Sequence, residues 1–273
     1  MNIVTTTGIF PIGYAAESAA ERLAKVGFKY FDMSFDYQDY PNSPYLSDKW
    51  EFWVDDLRNQ AEKLGVCYTH SHADEGVWSR STAVLRSFDA AKLLGVKYIV
   101  LHPSWRYEDG SIIEDVDEFI RINREQTMPL VEICEKNDLI LLSENLLWGA
   151  SIDPRNISAL VSEINSPHFG WCYDTGHANC FGIRPSVLRE ADNVPLSLHI
   201  QDNHGEFKDE HLLPGDGAID WKEFLDTLKA IGYKGECVLE AHHQSIDAPD
   251  DQRDSILRDL LSRAGKMVEY YTK

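Results

Sequence analysis

The sequence predicts a closed (β/α)8 barrel, an α/β fold, in a single domain over residues 1–273. Short apolar runs alternate along the whole chain with longer stretches whose apolar residues recur at helical spacing. Nearly unbroken apolar strands separated by helices indicate a parallel sheet covered by helices. Eight such units in about 250 residues are typical of a closed barrel. An open, doubly wound sheet would usually carry a glycine-rich phosphate turn after its first strand, and residues 8–13 do not supply one.

The predicted elements follow one another in a regular order. The eight strands are expected at residues 3–6, 28–34, 66–72, 96–102, 139–144, 169–174, 196–200 and 237–240. Helical patterns lie between them at residues 15–26, 49–64, 82–94, 115–136 and 221–231. Glycine follows four of these helices and is expected to end them, because it tolerates a positive φ. These glycines are Gly27, Gly65, Gly95 and Gly232.

The composition restricts the kinds of partner. The chain carries 26 Lys and Arg against 45 Asp and Glu, which gives a formal net charge of −19 at pH 7. Such a surface disfavours DNA and anionic lipid, since each phosphate contact needs a basic side chain. The five cysteines lack C-x-x-C spacing, which speaks against a disulfide framework or a thiolate zinc site. The N-terminus does not resemble a signal peptide, and no apolar run approaches roughly 18 residues. We therefore expect a cytoplasmic protein that binds neither nucleic acid nor membrane.

Ionisable side chains collect where the predicted strands end. In a barrel these ends and the loops after them share one face, which is where catalytic residues gather. Nine of the ten histidines fall at or just beyond a predicted strand end or in the loop after the seventh strand, and His168 is the exception. Six strands thus deliver Glu, Asp and His to one mouth. Such ligands suit Mn²⁺, Mg²⁺, Co²⁺ or Zn²⁺, so the sequence predicts a divalent metal site.

Five strings at these strand ends resemble one family. They are Ser143-Glu144-Asn145, residues 172–179 (CYDTGHAN), His199-Ile200-Gln201-Asp202-Asn203, residues 209–221 (DEHLLPGDGAIDW) and Leu239-Glu240. Together they are similar to the xylose-isomerase-like TIM-barrel superfamily of sugar and sugar phosphate isomerases and epimerases. The resemblance extends from the first strand to the last, and it implies the same barrel.

The resemblance also implies a metal site and a reaction. One divalent ion, with Mn²⁺ among the candidates, would be held by Glu144, Asp174, His199 and Glu240. Glu144 and Glu240 would also be the acid and base on the two faces of the substrate carbon, and His177 would hydrogen-bond the substrate oxygen. A proton would move at a carbon adjacent to a carbonyl through a metal-stabilised enediolate. A hydride shift between the two carbons is the other route in this superfamily.

Two other functions on the same barrel stay open. Endonuclease IV belongs to this superfamily and cleaves abasic DNA with three zinc ions, and its nine ligands have counterparts here. These are His70 or His72, His102, Glu144, Asp174, His177, His199, Asp209, His211 and Glu240. The acidic charge and the resemblance of residues 212–221 to the isomerase branch favour the isomerase. A dehydratase acting on a keto-polyol would use the same metal and base to expel water.

Further histidines and an aspartate are expected near the mouth. We expect only one of His70 and His72 to face the barrel axis, and His72 lies closer to the mouth. His102 is either a ligand or a core histidine. Asp209 and His211 would form part of a second metal position, contact substrate, or lie in the loop as ordinary polar residues. The remaining histidines near strand ends are expected to face solvent or to lie outside the ligand set, and they are His204, His242 and His243.

Aromatic residues after the strands suggest a pocket for a small molecule. Trp105, Arg106 and Trp148 follow strands four and five and are expected to line the pocket or pack at its rim. Residues 35–45 are rich in aromatics and are expected either to cover a sugar face or to contact another subunit, so a homo-oligomer stays open. Apart from Arg184, Arg106 is the only arginine close behind the ligand-bearing strand ends. An unphosphorylated or weakly charged sugar or polyol is therefore the expected substrate.

Overall fold

The strands form the predicted barrel. The computed structural model describes residues 1–273, except for the side chains of Asp74 and Glu75. Eight parallel strands pair in chain order and close on themselves. They are β1 (Ile3–Thr6), β2 (Tyr30–Ser34), β3 (Cys67–Gly76), β4 (Tyr98–His102), β5 (Ile140–Glu144), β6 (Phe169–Asp174), β7 (Ser197–Ile200) and β8 (Glu236–Leu239). Each overlaps its predicted range, and the largest difference is in β3, which continues past the predicted end at His72 to Gly76.

Helices alternate with the strands and cover the barrel. They are α1 (Ala16–Val26), α2 (Trp50–Leu64), α3 (Thr82–Leu94), α4 (Val116–Asn137), α5 (Pro154–Ile164), α6 (Thr175–Cys180), α7 (Trp221–Ala230), α8 (His243–Asp247) and α9 (Asp250–Thr272). The five helices that the pattern indicated begin and end within one residue of the expected positions. Gly65 and Gly95 end α2 and α3 with φ of 65° and 83°, and their N–H groups donate back to carbonyls of the last turn. Among the described residues, no helix has the length and apolar character needed to cross a membrane.

The alternation of side chains along the strands explains the polar mouth. Inside the barrel, Val100, Leu142 and Cys172 form a fully buried apolar layer. Two residues further along β5 and β6 the side chains point into the same interior, and these are Glu144 and Asp174. Tyr173, between Cys172 and Asp174, faces outward into the large apolar layer that joins the barrel to the helices. The polar mouth of the barrel therefore rests on an apolar layer.

A buried carboxylate fixes the loop that follows β7. Asp202 is fully buried and accepts hydrogen bonds from the backbone N–H groups of Asn203, Gly215 and Ile219 at 2.9, 2.8 and 3.2 Å. It also accepts one from Nε1 of Trp221 at 2.8 Å. A Cβ atom at residue 217 would lie 2.3 Å from Asp202 Oδ1, so only glycine lets the loop close around the carboxylate. This single side chain thus organises residues 203–221 on one side of the mouth.

We predict that Asp202→Ala lowers the free energy of unfolding by about 3 kcal/mol, because four donors lose a charged acceptor in a buried place. Urea denaturation followed by circular dichroism measures the change. Asp192→Ala is the control, since it removes the same charge from an exposed loop position and should change stability by less than about 0.5 kcal/mol. Equal, small effects of the two variants would show that Asp202 does not hold the loop.

Candidate active site

Four strand ends bring two glutamates, an aspartate and a histidine together at the mouth. Glu144 ends β5, Asp174 ends β6, His199 lies in β7 and Glu240 follows β8. One ligand atom from each lies within 4.8 Å of those of the other three. Glu144, Asp174 and His199 are at most 1% exposed, and the side chain of Glu240 is 13% exposed. We call these residues the four-residue group.

Several polar atoms of the four-residue group lack partners. Asp174 Oδ2, Glu144 Oε1 and both ring nitrogens of His199 are buried without a hydrogen bond to any described residue. His199 Nδ1 lies 2.9 Å from Glu144 Oε1 and 3.3 Å from Glu240 Oε1, but neither approach has hydrogen-bond geometry. Burying such groups without partners is costly. Three carboxylates and one imidazole form a donor set that fits a divalent cation.

The charges within this group shift one another's pKa. Burial raises the pKa of Asp174 to about 6 and that of Glu240 to about 7, with a contribution from the nearby Glu144 carboxylate. Burial opposes the charge of Glu144, but imidazoles that include His199 hold its pKa well below its usual range. The raised pKa values of Asp174 and Glu240 show that their charged forms are disfavoured in this crowded place. A bound cation would balance the negative charge of these carboxylates.

Two histidines extend the donor set on the β3 and β4 side. Nε2 of His72 lies 3.7 Å from Glu144 Oε2, and Nε2 of His102 lies 3.8 Å from the same oxygen. Burial opposes protonation of His72, yet the Glu144 carboxylate raises its pKa to about 9. Burial and the neighbouring His72 lower the pKa of His102 to about 3. The expectation that only one of His70 and His72 faces the barrel axis was wrong, because residues two apart in a strand point to the same side. His70 lies deeper in the barrel, where its Nε2 contacts Ser197 Oγ of β7 at 3.0 Å, and His72 reaches the mouth as expected.

A third set of donors lies on the opposite side. Asp209 Oδ2 lies 2.9 Å from His211 Nε2 and 3.4 Å from His177 Nε2. Burial opposes the charge of Asp209, but hydrogen bonds from His177 and His211 hold its pKa well below its usual range. Nδ1 of His177 lies 2.8 Å from the carbonyl oxygen of Asn145, which orients the ring toward Asp209. These three ligands also lie within 4.8 Å of one another.

A cavity of about 260 Å³ opens above these groups. Glu144, Glu240, His177 and Asp209 face it, and Tyr37 and Trp148 contribute aromatic walls. Trp148 is 42% exposed and was expected in the pocket.

Two other predicted lining residues lie behind Trp148. The Trp105 ring stacks on Trp148 with 4.5 Å between centroids, and the Arg106 guanidinium lies over Trp105 at 4.8 Å. Neither is among the described residues that line the mouth cavity, and Arg106 lines a separate cavity on the flank of the barrel. The stack places them at the rim, the other location that the sequence allowed.

Only part of the aromatic loop at residues 35–45 reaches the mouth. Asp36 and Tyr37 line the cavity. Phe35 is fully buried because it continues the outward-facing side of β2, and Tyr45 is buried with its hydroxyl donating to the carbonyl of Ala83 at 2.5 Å. Phe35 and Tyr45 thus serve the core between barrel and helices, whereas Tyr37 is placed to contact a ligand.

The structure adds residues to which the sequence analysis assigned no role in the site. His242 lines the cavity, and its ring centroid lies 4.0 Å from that of His211, although His242 was expected outside the ligand set. Its position two residues after Glu240 was a usable signal. The side chain of Asn145 forms two hydrogen bonds with the backbone of Asp174. The Asp174 N–H donates to Asn145 Oδ1 at 2.9 Å, and Asn145 Nδ2 donates to the Asp174 carbonyl oxygen at 3.1 Å. Gln201 contacts two aspartates of the site.

The fold and the donor groups define a class of (β/α)8 barrel proteins with a mouth suited to divalent metal. The model of the family described as xylose isomerase-like TIM barrel matches residues 20–261. The chain therefore belongs to that family, as the sequence motifs implied.

The chain also resembles individual proteins in sequence and solved structures in fold. The chain is 28% identical to the protein MJ1311 of Methanocaldococcus jannaschii over 82% of this chain and 78% of that protein. It is 31% identical to a ketose 3-epimerase of Arthrobacter globiformis over 36% and 32% of the two chains, and 28% identical to an inosose isomerase of Bacillus licheniformis over 56% of each. A D-tagatose 3-epimerase-like protein superimposes with a TM-score of 0.76 at 23% identity, covering 100% of this chain and 98% of that one. The IOLI protein, solved with a bound zinc atom, gives a TM-score of 0.74 at 19% identity, with 98% and 96% covered.

We predict that Asp174→Asn and His199→Gln each weaken Co²⁺ binding to the metal-depleted protein by about 100-fold or more, because each changes a buried ligand atom that has no hydrogen bond to a described residue. Isothermal titration calorimetry measures the affinity. His168→Gln is the matched control, since that ring binds the Leu139 carbonyl away from the mouth. Affinities within twofold of wild type in both site variants would contradict the assignment of these ligands.

Proposed function

We propose that this protein is a divalent-metal-dependent isomerase or epimerase of a small sugar or polyol. The observation that carries the proposal is the placement of Glu144 and Glu240. They come from β5 and β8, which two strands separate, yet both approach the His199 ring and both line the same cavity. A substrate in the cavity would therefore meet a carboxylate from each of two directions.

Two such carboxylates suit proton exchange at carbon. A C–H bond beside a carbonyl is weakly acidic, so one carboxylate takes the proton and the other returns it from the opposite face. A divalent ion held by the four-residue group would polarise the substrate carbonyl and its neighbouring hydroxyl. His177 orients the substrate oxygen, because its Nδ1 is engaged with Asn145 and its Nε2 side faces Asp209 and the cavity.

The names of relatives support this class of reaction. A ketose 3-epimerase and an inosose isomerase are among the proteins that resemble the chain in sequence, and a D-tagatose 3-epimerase-like protein shares its fold. The first two names describe an epimerisation of a ketose and an isomerisation of an inosose. Such a reaction is what two opposed carboxylates beside a metal site can perform.

The cavity favours an uncharged substrate. None of the described residues that line it is Lys or Arg, the side chains that usually bind phosphate. Trp148 and Tyr37 offer aromatic surface for the apolar C–H face of a sugar ring. We therefore favour an unphosphorylated ketose or inosose over a sugar phosphate.

Solvent exchange tests the acid/base pair. In D₂O the protein loaded with Mn²⁺ should exchange one carbon-bound proton of a substrate from a panel of ketohexoses and inososes, as followed by NMR. Glu144→Gln and Glu240→Gln should each slow this exchange by about 10²- to 10⁴-fold, because the base or acid is removed. Glu210→Gln is the control and should exchange at the wild-type rate, because this half-buried carboxylate bonds to His204 and is not among the described residues that line the cavity. A near-normal rate in either site variant would remove that glutamate from the acid/base role.

A second candidate is a metal-dependent phosphodiesterase that cleaves abasic DNA. The observation that favours it is the presence of three donor sets among the described residues. One is the four-residue group, and the second joins Glu144 of that group to His72 and His102. The third consists of His177, Asp209 and His211. The net charge of −19 and the cavity without Lys or Arg argue against a DNA substrate.

Metal content and DNA cleavage separate the two candidates. We expect about one equivalent of tightly held divalent metal per chain by elemental mass spectrometry, because the four-residue group alone, of the three donor sets among the described residues, combines three carboxylates with an imidazole. An abasic duplex should stay intact after incubation with the metal-loaded protein. Three zinc ions per chain together with nicking of the duplex would instead establish the phosphodiesterase. A product lighter than the substrate by one water in the sugar panel would identify a dehydratase.

A further inference from the structure

A buried glutamine joins two of the donor sets. Gln201 lies just beyond the end of β7, two residues after His199, and is fully buried. Its Nε2 donates to Asp209 Oδ1 at 2.6 Å and to Asp174 Oδ1 at 3.3 Å. A primary amide carries two N–H donors, and here each is directed at a different carboxylate. Gln201 is therefore a direct link between the four-residue group and the set formed by His177, Asp209 and His211.

The bond to Asp174 gives the two oxygens of that carboxylate different surroundings. Oδ1 accepts from Gln201 and also from the backbone N–H of His177 at 2.6 Å. Oδ2 is buried and has no hydrogen bond to a described residue. One oxygen is thus held by the protein, and the other is left for a ligand.

Asp209 is divided in the same way. Its Oδ1 accepts from Gln201, whereas its Oδ2 faces His211 Nε2 at 2.9 Å and His177 Nε2 at 3.4 Å. Because carboxylate rotation would exchange the two oxygens, a donor fixed on Oδ1 also fixes the direction of Oδ2. The amide of Gln201 therefore controls the orientation of both aspartates at once.

The surroundings of Gln201 hold its amide in this place. Thr175 Oγ1 accepts from the backbone N–H of Gln201 at 3.2 Å and donates to its carbonyl at 2.7 Å. A Cβ atom at residue 176 would lie 2.0 to 2.2 Å from the amide atoms of Gln201, so glycine is required there for space. A carboxylate at position 201 would lack the donors and would add negative charge beside two aspartates.

We propose that Gln201 is a positioning residue that directs Asp174 Oδ2 and Asp209 Oδ2 into the mouth and thereby sets the metal affinity of the site. The proposal rests on the metal site of the proposed function, but it concerns metal binding alone and makes no use of the substrate. Gln201 is not among the described residues that line the mouth cavity. It therefore acts through the two aspartates.

The test compares metal binding and folding in two variants. Gln201→Met keeps the length of the side chain and removes both N–H donors. Gly176→Ala leaves the glutamine in the sequence but pushes its side-chain amide away, because the added Cβ would overlap it. Co²⁺ titration of the metal-depleted protein, followed by calorimetry and by the visible absorption of bound Co²⁺, should show affinity reduced by about 10- to 100-fold in each. The absorption band should also change shape, because the orientation of Asp174 changes. Gln244→Met is the matched control, since that half-buried amide contacts Leu213 and Asp216 outside the site.

Each outcome decides the question. Wild-type affinity and an unchanged Co²⁺ band in folded Gln201→Met would overturn the proposal. If both variants unfold where Gln244→Met folds, and excess Co²⁺ does not restore them, Gln201 is a structural residue and the proposal is also overturned. Lost affinity in both folded variants supports it even when no substrate in the panel exchanges, an outcome that would count against the proposed reaction alone. Failure of the wild-type protein to bind Co²⁺ would remove the premise of both.

Discussion

Several ionisable groups are buried within a few ångströms of one another at the mouth of this barrel, and the structure around the mouth depends on their placement. Glu144, Asp174 and His199 are almost wholly removed from water and retain unpartnered polar atoms. Isolated charges in such a place are costly, so the group requires either protons or a cation. Burial raises the pKa of Asp174 to about 6 and that of Glu240 to about 7, which is the direction expected for buried carboxylates beside another carboxylate. A divalent ion would resolve the same conflict and keep the carboxylates charged.

The rest of the fold can be understood as support for this arrangement. The apolar layer of Val100, Leu142 and Cys172 closes the barrel beneath the mouth. Asn145 fixes the backbone at Asp174, and Asp202 holds the loop that carries Asp209 and His211. Trp148 forms one wall of the cavity, and the Trp105 ring stacks behind it. Rigid elements thus set the directions of the donors, which is what a metal site of defined geometry needs.

Much of this could be predicted from the sequence because strand ends in a parallel barrel converge. Once the eight strands were placed in order, Glu144, Asp174 and Glu240 had to lie on one face, and no contact needed to be known. Contacts between residues far apart in the chain were not predictable in this way. The amide of Gln201 meets Asp209 only because the loop folds around Asp202, and Gly176 matters only because Gln201 fills its space. The burial of Phe35 and Tyr45 was missed because an aromatic-rich loop gives no indication of which rings belong to the core.

Anomalous X-ray scattering from crystals of the protein grown with Mn²⁺ tests the account most directly, since it locates the ion without reference to any substrate. We predict one strong peak bounded by Glu144, Asp174, His199 and Glu240, with Asp174 Oδ2 as a ligand and Asp174 Oδ1 still bonded to Gln201. Absence of density among these four residues, with the ion bound only elsewhere, would contradict the central claim that their burial is matched to a metal.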